Sequence, residues 1–161
     1  NPKTSAKNKF SRKQGFYTLT WQEMNFAVGI KAKSQKHLLN LDGYGSVSFD
    51  VRLKDQPIPG MFFAVTFNQW ENGKGQTIWM YITPSTTATA DGKWQRIVFP
   101  VASLYGVGNP LPTRKDSVIE GSIGVYSGSD FKADLPITFD ITNLMLWKQA
   151  VNDVTVIPLE K

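Results

Sequence analysis

The sequence predicts an all-β chain folded as an antiparallel β-sandwich, and three observations carry that expectation. Several short segments alternate apolar and polar residues, the period of an extended strand whose successive side chains point to opposite faces. Turn signals rich in Gly, Pro, Asn and Asp separate them: "LDGYG", "KDQPIPG", "WENGKGQ", "ADGK", "GVGNPLP" and "YSGSD". No segment shows a sustained helical period. Short alternating strands between such turns point to an antiparallel sandwich or barrel.

Each element rests on its own pattern. "MNFAVGI" (24–30) sets Met24, Phe26, Val28 and Ile30 against Asn25, Ala27 and Gly29. "SVSFDVRL" (46–53) sets Val47, Phe49, Val51 and Leu53 against Ser46, Ser48, Asp50 and Arg52. "MFFAVTF" (61–67) places Phe63, Val65 and Phe67 on one side, and "TIWMYIT" (77–83) does the same with Ile78, Met80 and Ile82. "WQRIVFPV" (94–101) turns Ile97 and Phe99 inward, and "GSIGVYSG" (121–128) turns Ile123 and Val125 inward with Tyr126 outward. "ITFDITNLMLW" (137–147) reads as a long strand and "DVTVIPL" (153–159) as a last one. "VASLYG" (101–106) is expected to form a single turn at most.

The chain has 161 residues, 41% of them apolar and 19% charged, which suits one domain with a proper core. The net charge is +5, but Lys3, Lys7, Lys9, Arg12 and Lys13 fall in the first 15 residues with no acid among them. Residues 1–15 are therefore expected to be a basic linker or tail, or the cut edge of a larger protein, and 16–161 a single sandwich domain. Without that tail the chain is near neutral, which argues against nucleic-acid binding. No run of 18 apolar residues suggests a membrane-spanning helix, and no signal peptide is apparent at the start. Cysteine is absent, so disulfides, thiolate metal sites and a Cys nucleophile are excluded.

Function is expected on the polar sides of the strands. Those sides offer Asp50 and Arg52, then Phe62, Ala64 and Thr66 running into Asn68, Gln69 and Trp70, then Thr77, Trp79 and Tyr81, then Tyr126. Aromatic plates among short polar groups complement a pyranose, which has C–H patches on its faces and hydroxyls around its rim. A single exposed aromatic more commonly pairs across strands. The set Trp79, Tyr81 and Trp70 beside Asp50 and Arg52 tips the reading towards a binding face. Trp21 and Trp94 read as structural, and Trp147 suits either role.

In their order, "YGSVSFDVRLKD", "FFAVTF", "TIWMYIT", "DGKWQRIVFPVASL", "VIEGSIGVYSG" and "ITFDITNLMLW" resemble the galactose-binding-like β-jelly-roll. More narrowly, they resemble the carbohydrate-binding modules attached to bacterial polysaccharide hydrolases. Two motifs carry the likeness. One is the turn and strand of Asp91, Gly92, Trp94, Ile97, Phe99, Pro100 and Leu104; the other is the closing strand Phe139 to Leu146, apolar-Asp-Ile-x-Asn-Leu-x-Leu. The resemblance spans about residues 44–148. It implies two antiparallel sheets with a ligand cleft on one of them, in a secreted or cell-surface protein. The module would hold a polysaccharide, with a β-glucan or xyloglucan-like chain of plant cell wall as the first guess, and keep an attached enzyme near its substrate. It implies Trp79 and Tyr81 as sugar platforms, Asp50 and Arg52 as hydroxyl partners, Trp70 at the cleft mouth, and Tyr126 as a further contact. It also implies a structural calcium, for which the final strand offers Asp140 and Asn143 and the N-terminal half only Glu23 and Asp42.

The residues do not suggest an enzyme. The lone histidine, His37, has no triad partner at a suitable spacing and no second His or Cys to complete a zinc site. "GKGQT" (73–77) is too short for a phosphate-binding loop. The rival from another class is a protein-interaction or assembly domain of the same fold, with Phe62, Trp79 and Tyr81 as an apolar patch.

Overall fold

The computed structural model describes residues 9–21, 27–31, 43–71, 74–82, 86–106, 122–126 and 136–160, with side chains described for 11–20, 43–57, 88–102 and 136–160. Their strands are β1 (Lys9–Arg12), β2 (Tyr17–Trp21), β3 (Ala27–Lys31), β4 (Ser46–Leu53), β5 (Ile58–Glu71) and β6 (Lys74–Ile82). Then come β7 (Thr86–Ala88), β8 (Trp94–Pro100), β9 (Leu104–Gly106), β10 (Ser122–Tyr126), β11 (Ile137–Trp147) and β12 (Thr155–Pro158). The one helical feature among the described residues is a 3-10 turn, Val101–Ser103.

The strands form two antiparallel sheets. Sheet one has the order β1-β2-β11-β4-β8-β12, and sheet two the order β3-β10-β5-β6-β9, with β7 paired to the start of β5. The chain keeps crossing between them: β2 in sheet one, β3 in sheet two, β4 in one, β5 and β6 in two, β8 in one, β9 and β10 in two, β11 in one. This is a jelly-roll sandwich, as the sequence predicts.

The alternation explains the core. In sheet one, Leu19, Val47, Phe49, Val51, Leu53, Ile97, Phe99 and Ile137 are wholly buried, and Phe139 nearly so. Register sets them side by side: Leu19 beside Phe139, Phe139 beside Leu53, Val47 beside Phe99 and Phe49 beside Ile97. The Phe49 and Phe99 rings stack with centroids 5.7 Å apart. Each such side chain contributes about 1.5–3 kcal/mol relative to an exposed one. Gln95 shares this buried face, and the backbone of Thr89 satisfies it: Thr89 N donates to Gln95 Oε1 at 3.0 Å and Gln95 Nε2 donates to Thr89 O at 2.7 Å. A buried amide thus copies the paired bonds of a strand neighbour and ties β8 to the chain leaving β7.

Gly45 marks the tightest crossing. A Cβ there would lie 2.5–2.7 Å from backbone atoms of residues 149–150, so only glycine admits this approach. Its N–H donates to Trp147 O at 2.8 Å, and the Ser46 hydroxyl donates to Gln149 O at 2.7 Å.

The predicted strands over 46–53 and 137–147 match the observed bounds, and the others shift by a few residues. Three differences stand out. Residues 9–12, expected in a linker, form β1, which pairs with β2 from Lys9↔Thr20 to Arg12↔Tyr17. Neither strand was expected: β1 is short and basic, with Phe10 its one apolar residue, and β2 is only five residues long, although it alternates Tyr17, Leu19 and Trp21 against Thr18 and Thr20. Residues 101–106, expected as one turn, form the 3-10 turn and then β9, whose three residues close one edge of sheet two. The strand over 61–67 extends to 58–71 across Pro59, where its pairing with β7 is irregular between Ile58 and Met61. His37, Glu23 and Asp42 lie outside the described residues.

Candidate functional site

Strand register gathers four of the six predicted ligand residues on one face of sheet two. Trp79 pairs with Thr66, Tyr81 with Ala64, Trp70 with Gly75 and Tyr126 with Phe62. Positions 62, 64, 66, 68 and 70 of β5 share a face with 75, 77, 79 and 81 of β6, because alternation keeps paired residues on one side. A row crosses all five strands on that face: Tyr105, Tyr81, Ala64, Gly124, Gly29. The intervening positions in register, among them Val65, Met80 and Ile123, are apolar and belong to the opposite face. Tyr105 was missed in the sequence because its segment reads as a turn. Its signal was the aromatic two residues beyond Ser103, which register brings directly beside Tyr81.

Asp50 and Arg52 lie elsewhere, and this corrects the expectation that they neighbour Trp79 and Tyr81. Their strand, β4, belongs to sheet one, while β6 belongs to sheet two. Nor are they open to a ligand as a pair. Asp50 is only 3% exposed. Arg96, beside it in register, donates from Nε to Oδ1 at 2.7 Å and from Nη2 to Oδ2 at 3.0 Å, and Asn143 Nδ2 adds a bond to Oδ2 at 2.8 Å. Arg52 instead grips Asp140, with Nε at 2.9 Å and Nη2 at 2.6 Å from Oδ2, and the Thr18 hydroxyl donates to Oδ1 at 2.7 Å.

Aromatic rings frame both ion pairs. The Arg52 guanidinium lies 4.8 Å from the Trp94 ring centroid and 5.2 Å from that of Phe16, and the two rings meet edge to face at 5.7 Å. Arg96 lies 5.9 Å from the Trp147 centroid, and Trp147 Nε1 donates to the buried Ser48 hydroxyl at 2.8 Å. The Arg96 guanidinium is held further towards its charged form, chiefly by its hydrogen bond to Asp50, with burial opposing. Two interlocked charge pairs and their rings make this surface a stabilising lattice. Trp94 is structural, as its sequence position suggests, and Trp147 joins it as a partly exposed anchor.

The acidic residue nominated for calcium belongs to the same lattice. Both oxygens of Asp140 are engaged, and an arginine stands where a cation would compete. Asn143 is turned onto Asp50. Among the described residues no three His, Cys, Asp or Glu side chains cluster as metal ligands. The donor set around Asp140 therefore does not fit the ion.

No protein-family model matches the chain, and no curated protein matches its sequence. Solved structures similar to it include the family 11 carbohydrate-binding module of the cellulosomal cellulase Lic26A-Cel5E of Clostridium thermocellum. That match has 12% identity and a TM-score of 0.49, covering 90% of this chain and 82% of the module. Another is the Trypanosoma rangeli sialidase in complex with sialic acid, at 12% identity and a TM-score of 0.40, covering 89% of this chain and 27% of the sialidase.

Proposed function

We propose that this domain is a non-catalytic carbohydrate-binding module whose ligand face is the Trp79 and Tyr81 face of sheet two. The observation that carries the reading is the row Tyr105, Tyr81, Ala64, Gly124, Gly29. Two aromatic positions adjoin three that hold a methyl group or no side chain at all. Trp79 and Thr66 border the row on one side, and Tyr126 and Phe62 on the other. A saccharide chain needs that combination: flat apolar plates for ring faces, and free depth beside them for the rest of the ring. Asn68 and Thr77, paired on the same face, supply amide and hydroxyl partners.

The non-enzymatic reading has its own support. Glycoside hydrolysis needs two carboxylates free to act as acid and nucleophile or base. Asp50 and Asp140, the buried carboxylates among the residues whose side chains are described, are each committed to an arginine. The module's contribution would be proximity: an exposed module in a larger secreted or cell-surface protein holds an attached enzyme near a polysaccharide such as a β-glucan or xyloglucan-like chain. A shallow wet face displaces a water for each hydroxyl it binds, so affinity is expected at about 10–100 µM, or about −5 to −7 kcal/mol.

Native affinity electrophoresis through gels loaded with β-glucans, xyloglucan, xylan, mannan, pectin and an acidic algal glycan tests this. Selective retardation in one or two gels, lost in Trp79→Ala at an unchanged melting temperature, is the expected result. Free migration in every gel would reject the reading in favour of a protein-interaction face.

A further inference from the structure

The outer surface of sheet one carries a half-open pocket that the proposed sugar face does not use. It encloses about 230 Å³, and its lining includes Lys13, Phe16, Arg52, Lys54, Thr138 and Asp140. That is smaller than the roughly 300–1,000 Å³ of a pocket for a whole drug-sized ligand. It suits one small charged group.

Its chemistry is one-sided. Three cations line it against one acid, and Asp140 is already neutralised by Arg52 at 2.6 Å. Two positive charges remain. Among the described residues, no carboxylate pairs with the Lys13 or Lys54 ammonium group. Arg52 is fixed by Asp140, Phe16 and Trp94 and uses Nε and Nη2 on the carboxylate, which leaves further N–H donors on its fork. Thr138 shares a single 3.1 Å bond with Thr20 in which either hydroxyl can donate, so the Thr138 O–H is free to turn to the pocket when Thr20 donates. The uncommitted groups are thus donors on a preorganised wall, the complement of a group that only accepts.

We infer that this pocket is a second binding site, for a small oxyanion: a sulfate, phosphate or carboxylate, free or carried on a sugar. Lys13 and Lys54 supply the charge from two separate segments, while Arg52 and Thr138 give direction. Because both lysines are exposed, affinity falls as ionic strength rises.

Amide chemical shifts of the intact chain, followed by nuclear magnetic resonance at constant ionic strength, provide the test. The probes are sodium sulfate, sodium phosphate, glucuronate, galactose 6-sulfate, neutral galactose and sodium chloride. Saturable shifts around residues 13–18, 52–54 and 138–140 are expected with at least one oxyanion, with Kd raised about tenfold in Lys13→Ser/Lys54→Ser. Saturation by inorganic sulfate or phosphate would assign the site to the free ion, and saturation only by glucuronate or galactose 6-sulfate would assign it to a sugar-borne group. Linear shifts equal to those with chloride would overturn the inference. So would saturation by neutral galactose, or shifts indifferent to the lysine substitutions. Trp79→Ala should leave this site intact, so its failure and that of the sheet-two reading are distinguishable.

Discussion

Asp50 accepts three hydrogen bonds while almost removed from water, and its partners are unequal. Arg96 supplies two bonds and the compensating charge, with 27% of its side chain exposed against 4% for the Asp50 side chain. Removing the arginine leaves a buried carboxylate with only Asn143 beside it, whereas removing the acid lets the guanidinium turn to solvent. Arg96→Ala should therefore cost about 3 kcal/mol and Asp50→Asn about 1–2 kcal/mol, read from urea midpoints at neutral pH. An equal loss in the two variants would contradict the asymmetry. The arginine's raised pKa sets the pH range. A cation whose folded pKa lies above its unfolded one stabilises fully below the unfolded value and loses that effect as pH rises through the folded one. For Arg96 that window is strongly alkaline, so its contribution stays constant through neutral pH. At this scale the sequence reveals which face a side chain takes but not its partner. Asp50 and Arg52 alternate correctly and look like a pair, yet the cross-strand register gives each a different mate.

Strand β11 shows how an element re-aims a residue. Its pairing with β4 shifts between Thr142 and Met145, and Asn143 inside that bulge takes a φ of 52°. Asparagine tolerates this left-handed conformation better than other residues with a Cβ, and here its amide also reaches Asp50. The two roles separate experimentally. Asn143→Gly keeps the backbone and loses the bond, costing about 1 kcal/mol. Asn143→Ala loses the bond and strains the backbone, costing about 2–3 kcal/mol in all. Stability by denaturant titration should fall in the order wild type, Gly, Ala; a glycine variant no better than alanine would show that the bond alone matters. Elements such as β4 and β11 were legible because hydrophobic alternation over all 8 residues of β4 and over residues 137–142 of β11 leaves little choice. The bulge shows in the sequence only as a break in that alternation: after Ile141 come two polar residues, Thr142 and Asn143, and then three apolar ones, a pattern that marks an irregularity without saying how the strand re-pairs. Strands β1 and β9 were not legible, because edge strands of three or four residues need no strong apolar pattern, whereas β2 carries a legible alternation of Tyr17, Leu19 and Trp21 that went unread beside the basic segment before it.

For the molecule as a whole, the sandwich separates the charge lattice from the proposed saccharide face. The charge lattice sits on sheet one, and the proposed saccharide face on sheet two. Substitutions should divide along the same line. Arg96→Ala should lower the melting temperature and leave polysaccharide retardation unchanged at temperatures where the protein stays folded. Trp79→Ala should do the opposite. A variant pair that moved both readouts together would show that the two sheets act as one unit. The fold class was legible because the longer strands repeat one rule. The partition into sheets was not, since β4 and β6 present the same kind of alternation and the chain crosses the sandwich between them. That hidden crossing divided the predicted site: its aromatics stayed together and its charged residues went to the other side.

Strands β1 and β12 form the two opposite edges of sheet one. A pull applied at Lys9 and Pro158 would therefore run across the strands, along the direction of their hydrogen bonds. Such a load opens a ladder bond by bond, like a zipper, and does not shear all its bonds at once. The domain should yield at low force by shedding its outermost strands, while the aromatic row on the other sheet stays in register. Tethered between an anchor and a moving load, it would lengthen before it let go.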